Sequence, residues 1–491
     1  MIAGANDLEA LAAAALERGT EAAAELELAS WLSANPAEPR ILQWRALLLR
    51  ALDRRGEAIT LLQRAEALDP QDGGIAHNLA QITHEAGQAA SALFGQALRL
   101  NPTSPAIRLG LTSARYAEGD GEAALAELEA VLTSHPGWYE GHRQFAQLAT
   151  LMDHSERRLD SLRAAIRRFP DAADPVYVAA ELQMSAGDHA GALALVEPAL
   201  SQLSADPLLL QVKAAALDEL GDLTQARQLF DQLGPAQEIA LSERRIRHFL
   251  RGGDPALALR EAEPWLASTS APIVWPYVAL AWRALGDRHA SWLEEQDGLV
   301  RTVDLATAAD FAGLAERLRT IHQRSGRFLD QSVRRGTQSD GALFARIEPE
   351  IVAVRQLVSA AISAHIAALP APDERHPQLA VRRDQAPRFA GSWSVRLHGE
   401  GHHTAHHHPQ GWFSGVLYVT VPAQLRRPAG YLALGSSPPE LGLGLMPRSY
   451  VEPAAGRLAI FPSTLWHATE PFREGERMTI SFDVARPFEE T

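Results

Sequence analysis

The sequence predicts two unlike parts: an all-α repeat solenoid over the first three hundred residues and an antiparallel β sandwich or barrel at the C-terminal end. Three observations carry this. Proline-marked turns recur at a period near 34, the period is lost after about Asp304, and from about Phe389 the apolar pattern switches to period two.

The prolines of the repeat are Pro36, Pro70, Pro102, Pro136, Pro170 and Pro207, spaced by 34, 32, 34, 34 and 37 residues. Twelve residues before most of them stands a small residue, Ala24, Ala58, Ala90 or Ala124, and the same phase continues at Ala192, Ala226 and Ala258. Apolar residues follow four and seven positions later, as in Leu28 and Trp31, Phe94 and Ala97, or Phe230 and Leu233, which marks one helix face. Gly19, Gly87, Gly187, Gly221, Gly253 and Gly286 precede these helices, where a tight turn from an earlier helix needs glycine. The unit is helix, short turn, helix, proline-marked turn. Arg158 breaks the pattern in the fifth unit by taking the small position.

After about Asp304, polar residues 334–341 read as a solvated turn, and a helix is expected from about Glu348 to Leu369, apolar at Ile351, Val354, Leu357, Val358, Ala361 and Ile362. Pro370 and Pro372 end it. Segments 392–397, 414–419, 457–461 and 478–484 then alternate as strands between Gly and Pro turns.

Composition bounds the chemistry. With no cysteine among 491 residues, disulfides, thiolate metal sites and a Cys nucleophile are excluded. A balance of 46 basic against 60 acidic residues, net −14, disfavours capture of nucleic acid or an anionic membrane by bulk charge. No run reaches 18 uninterrupted apolar residues, and the first 18 residues lack the pattern of a signal peptide, so a cytoplasmic protein is expected.

Six of the 18 histidines fall within eleven residues: His398, His402, His403, His406, His407 and His408. On an extended strand His406 and His408 share one face, and a distant His467 would complete a facial metal set with open positions. Ten residues past His467, Arg477 and Thr479 share a strand face and suit a grip on a carboxylate. His402, His403 and His407 read as surface or supporting residues, and His398 as a satisfied strand histidine. Arg396 reads as a second carboxylate contact or a rim charge, and Trp412, Phe413 and Trp466 mainly as packing.

The repeat resembles the tetratricopeptide repeat over roughly residues 5–300. The run from His406 through Pro409, Gly411, Trp412, Ser414, Gly415 and Tyr418, then Gly456 to His467, then Arg477, Thr479 and Phe482, resembles the Fe(II)/2-oxoglutarate oxygenases often fused to such repeats. This resemblance implies an all-α tetratricopeptide-repeat solenoid of eight to nine helix pairs (1–303), a helical connection (304–388) and a double-stranded β-helix, jelly-roll or cupin-like, with flanking helices (389–491). It implies Fe(II) held by His406, His408 and His467, and 2-oxoglutarate as cosubstrate, its far carboxylate anchored by Arg477 and Thr479, with Tyr418 a candidate hydroxyl. His406, His408, His467 and Arg477 are then the catalytic set, and a C–H bond of a protein, peptide or small molecule is the target. The repeat groove is expected to recruit a protein or peptide.

One position departs from the family pattern. His408 stands where Asp or Glu is usual, leaving a bound divalent ion one negative charge short, and Glu400 in the preceding turn is a candidate replacement. Two other readings follow: a three-His dioxygenase that needs no 2-oxoglutarate, and a repeat scaffold whose cupin-like metal domain is not catalytic.

Overall fold

The computed structural model describes residues 4–203, 206–323, 325–326 and 332–488. Among these, eighteen α-helices from α1 (Ala5–Arg18) to α18 (His289–Glu294) follow one another in nine pairs. Ala24, Ala58, Ala124, Ala192, Ala226 and Ala258 are all buried, because only a methyl fits where the second helix of a pair crosses its neighbours. The six turn glycines adopt φ between +67° and +89°, a conformation that costs other residues about 1–2 kcal/mol. At the fifth pair the bulk of Arg158 is accommodated by shortening. A 3₁₀ turn at Ser155–Arg157 precedes a nine-residue helix, Asp160–Arg168, and the guanidinium donates to Gln183 Oε1 at 2.7 and 3.0 Å.

The second part is an antiparallel sheet curled toward a barrel, a jelly-roll arrangement. Its strands are β1 (Arg301–Asp304), β2 (Val333–Gln338), β3 (Phe389–His406), β4 (Gly411–Thr420), β5 (Leu432–Leu434), β6 (Ser449–Val451), β7 (Arg457–Pro462), β8 (His467–Thr469) and β9 (Arg477–Ala485). Their order is β1-β7-β4-β9-β3-β8-β5-β6, with β2 beside β3. The long β3 pairs with β9 over its first half and with β8 at its end, which wraps the two halves of the sheet around one cavity. Helices α19 (Phe311–His322) and α20 (Pro349–Ala367) cover the outer face, where Leu314, Leu318, Val354 and Ile362 pack on Leu417, Ile460, Met478 and Ile480. By length and composition α20 could cross a membrane; here its apolar stripe faces the sheet.

Residues 334–341 correct the expectation of a solvated turn. Most of that stretch is β2, registered against Val395–Leu397 and His402–His403 of β3. The sheet also takes β1, paired with β7. Both strands carry few apolar residues, so neither shows the alternation of a half-buried strand; backbone pairing recruits them, with one valine each, Val303 and Val333, packed on the core.

The β domain sits against turns within the helix pairs. Arg388 pairs with Glu21 (2.8 Å), Arg355 donates to Asp53 O (3.2 Å) and Ile347 N–H to Ala86 O (3.4 Å) near one end of the array. Near the other, Arg251 donates to Glu440 O (2.8 Å), Arg283 to Met446 O (2.6 Å) and Trp466 Nε1 to Pro276 O (3.0 Å).

Candidate metal centre and its pocket

His406 is the last residue of β3, and His408 lies beyond it in the turn to β4, not on the strand as expected. Its position is fixed instead by its backbone N–H, which donates to Ser463 O at 2.8 Å. His467 opens β8 in register with His406. The three rings converge. Their centroids are 4.2 Å (His406–His467), 5.1 Å (His406–His408) and 5.1 Å (His408–His467) apart, and one ligating nitrogen of each lies within 4.8 Å of the others.

Each imidazole is oriented through Nδ1. His406 Nδ1 lies 2.8 Å from Thr404 O, His467 Nδ1 2.9 Å from Leu465 O, and His408 Nδ1 2.7 and 2.8 Å from the two oxygens of Asp483. Carbonyls and carboxylates accept, so each Nδ1 carries a proton, and in the neutral ring Nε2 keeps its lone pair. Burial pushes His406 down to about 3 and His467 well below the ordinary histidine range, and the neighbouring imidazoles act in the same direction. At neutral pH these two rings are uncharged, the state that binds metal.

Arg477 and Thr479 project from β9 into the same pocket, which Trp393, Phe461 and Phe482 also line. Arg477 is 1 % exposed, and its guanidinium carbon stands 4.9 Å from the centroid of the Tyr418 ring. Among the described residues, Arg477 Nε and Tyr418 Oη are both buried without a well-formed hydrogen bond, and the two groups interact with each other. Leaving such groups unpaired costs about 1–3 kcal/mol each, so a ligand with acceptor atoms would relieve the site. Burial lowers the Arg477 pKa and raises that of Tyr418.

Other candidates separate cleanly. Glu400 lies away from the centre, exposed and paired with Arg335 at 2.6 Å, so it does not replace the missing carboxylate. Arg396 is a rim charge bound to Glu476 at 2.7 Å, and His398 is exposed. His403 lines the pocket with its ring stacked 5.6 Å from His406, while His407 points away between Tyr277 and Trp466. Trp412 and Phe413 are core residues, Trp412 donating to Gln378 O at 3.0 Å.

Sequence reasoning missed Asp483 and Ser332, and gave Ser414, part of the resemblance, no role of its own. Ser332 Oγ lies 3.1 Å from His403 Nδ1 and 3.3 Å from His406 Nε2. Asp483 had a signal: Arg477, Thr479, Ser481 and Asp483 occupy alternate positions of β9, a polar stripe on a strand whose other face is Met478, Ile480, Phe482 and Val484.

Residues 391–483 match the family described as "Putative 2OG-Fe(II) oxygenase". Residues 82–148 match the tetratricopeptide repeat. The chain thus carries a stretch matching the tetratricopeptide repeat and, C-terminal to it, one matching that oxygenase family. Among solved structures it is similar to a prolyl-4-hydroxylase from Pseudomonas putida (19 % identity, 38 % of this chain and 92 % of the other, TM-score 0.28). It is also similar to MamA (15 %, 34 % and 92 %, 0.30) and to YrrB, a TPR protein with an unusual peptide-binding site (18 %, 38 % and 97 %, 0.25). No curated protein matches the sequence.

Proposed function

We propose that this protein is an Fe(II)- and 2-oxoglutarate-dependent hydroxylase whose repeat array recruits a protein or peptide substrate. The reading is carried by one observation: three convergent imidazoles share a pocket with a buried arginine whose Nε, like the Tyr418 hydroxyl, has no well-formed hydrogen bond among the described residues. His406, His408 and His467 would hold the metal through Nε2. Arg477, with Thr479 and Tyr418, would take the far carboxylate of 2-oxoglutarate, where a desolvated guanidinium binds most strongly. When bound, Fe(II) with 2-oxoglutarate supplies oxygen activation, with decarboxylation to succinate and CO2 coupled to hydroxylation of a C–H bond. The chain's own contribution is to pin each Nδ1 proton on an acceptor, and to surround the pocket with Trp393, Phe461 and Phe482 so that water is limited.

Recruitment is assigned to the open face between the helices Tyr139–Leu151 and Ala173–Ser185. There Glu140, Arg143, Gln144, Tyr177 and Glu181 line a cleft of about 420 Å³, within the size range of ligand pockets. Its alternating charges and amides suit an extended peptide.

The test is an anaerobic titration of the Fe(II)-loaded chain with 2-oxoglutarate, followed by succinate analysis in air. A charge-transfer band that is lost in Arg477→Ala while metal stays bound supports the reading; no band and no succinate refute the cosubstrate. His408 at the carboxylate position favours a second reading, a three-His dioxygenase, which would instead consume oxygen with iron alone.

A further inference from the structure

We infer that Asp483 is the carboxylate of this metal centre, acting through His408 as a positioning residue and not as a direct ligand. The inference rests on the reading that the three histidines bind a metal.

The argument begins with charge. Three neutral imidazoles leave a divalent ion with its full +2, whereas a site with one carboxylate ligand holds it at +1. In this chain a carboxylate stands one imidazole further out. Both Asp483 oxygens lie within 2.8 Å of His408 Nδ1, and the aspartate is 8 % exposed. A carboxylate accepting Nδ1–H fixes the ring's tautomer and orientation and raises the basicity of Nε2.

Asp483 is itself held. Ser414 Oγ donates to its Oδ1 at 2.6 Å and is 2.9 Å from Ser463 Oγ, and Ser463 O accepts the His408 backbone N–H at 2.8 Å. Ser414, Ser463 and Asp483 therefore bracket His408 at both backbone and ring. Space around this bracket is exhausted. A Cβ added at Gly411 would lie 2.3 Å from Ser463 Oγ and 3.2 Å from Asp483 Cβ. The register explains how the bracket forms: Asp483 is paired with Ser414 across β4 and β9, so their side chains share one face.

The experiment is anaerobic titration of the full chain with Co(II), read by its visible absorption, with chelator competition for affinity. Wild type, Asp483→Asn, Asp483→Ala, Ser414→Ala and His467→Ala are compared, each with its Tm. Asparagine keeps an acceptor for Nδ1–H and removes only the charge. About tenfold weaker binding is expected for Asp483→Asn and closer to 100-fold for Asp483→Ala, with a changed Co(II) spectrum. Ser414→Ala, which leaves the aspartate in place, should lose severalfold. Wild-type affinity and spectrum in both Asp483 variants would overturn the inference while leaving the metal site standing. Failure of the wild type to bind Co(II), or unchanged binding in His467→Ala, would remove the metal site and this inference with it.

Discussion

Tyr277, in the solenoid helix Ala271–Leu285, stands edge-on to His407 of the β domain with ring centroids 5.6 Å apart, and also edge-on to Trp466 at 5.5 Å. His407 lies between His406 and His408, and Trp466 immediately precedes His467. A single side chain of the array therefore bears on both chain segments that present the candidate ligands. On the proposed reading, the repeat would help to support the centre as well as recruit a substrate.

Tyr277→Ala tests that support. Loss of a fully buried aromatic typically costs about 3–5 kcal/mol, and here the collapse would disturb residues 406–408 and 466–467 together. We expect a lowered Tm and about tenfold weaker metal binding, the scale seen when groups supporting metal ligands are lost. Tyr277→Phe keeps both ring contacts and loses the hydroxyl's bond to Glu243 (2.8 Å) and the one it accepts from Arg247 (3.4 Å). It should cost about 1.5–3 kcal/mol, the scale for hydrogen bonds to charged groups, and leave metal affinity unchanged. Wild-type Co(II) affinity in folded Tyr277→Ala would show that the array does not support the centre.

Tyr418→Phe is expected to move stability and binding in opposite directions. The hydroxyl is buried without a well-formed hydrogen bond among the described residues, so its removal should stabilise the ligand-free protein by up to about 1 kcal/mol and raise its Tm. If that hydroxyl meets the cosubstrate, the same change weakens 2-oxoglutarate binding about 2- to 10-fold. Thermal melts with and without 2-oxoglutarate separate the two effects, and a drop in Tm without ligand would contradict the first.

Gly110→Ala sets two effects of known size against each other. In a helix interior alanine gains about 1 kcal/mol over glycine. At Gly110, in the helix Pro105–Glu118, the added Cβ would lie 2.3 Å from the ring of fully buried Phe94 in the preceding helix. Overpacking a tight core costs about 1–3 kcal/mol, so net destabilisation is expected in urea melts. A stabilised variant would mean that the Phe94 ring yields freely.

Acid should weaken the β domain through two histidines remote from the metal ligands. Burial holds His322 and His365 at about 4, helped by nearby Arg396 for the first and Arg301 for the second. In the unfolded chain both titrate near 6.5, so as pH falls below that value the unfolded state takes up protons that the folded state refuses. Stability is complete above about 6.5 and declines toward pH 4. At about 1.4 kcal/mol per pKa unit, the loss is on the order of 3 kcal/mol per group. His322 is hydrogen-bonded on both nitrogens, to Thr337 (2.8 Å) and Ser394 (3.0 Å), whereas among the described residues His365 Nε2 has no hydrogen-bond partner. His365→Leu should therefore flatten part of the pH dependence with little other damage, as urea melts from pH 8 to 4 would reveal; an unchanged slope would refute it.

The sequence by itself determined whatever is written in local periodicity. A 34-residue rhythm of alanines, glycines and prolines specifies helix pairs, because each records which face is crowded and where the chain must reverse. Alternation along residues 478–484 specifies a strand, and two histidines two apart with a distant third and an arginine mark a candidate centre. Only the tertiary structure decided what completes these pieces. His408 joins the other rings from a turn, through a bond to Ser463 and not through strand geometry. Its carboxylate comes from Asp483, 75 residues away, and its neighbour is braced by Tyr277 of the solenoid. Strands β1 and β2 enter the sheet mainly by backbone pairing and show no alternating apolar pattern. The physical reason is common to all of these: a periodic pattern reports the environment of one segment, while a contact between distant segments depends on sheet register and on how the array folds against the barrel, which no single segment encodes.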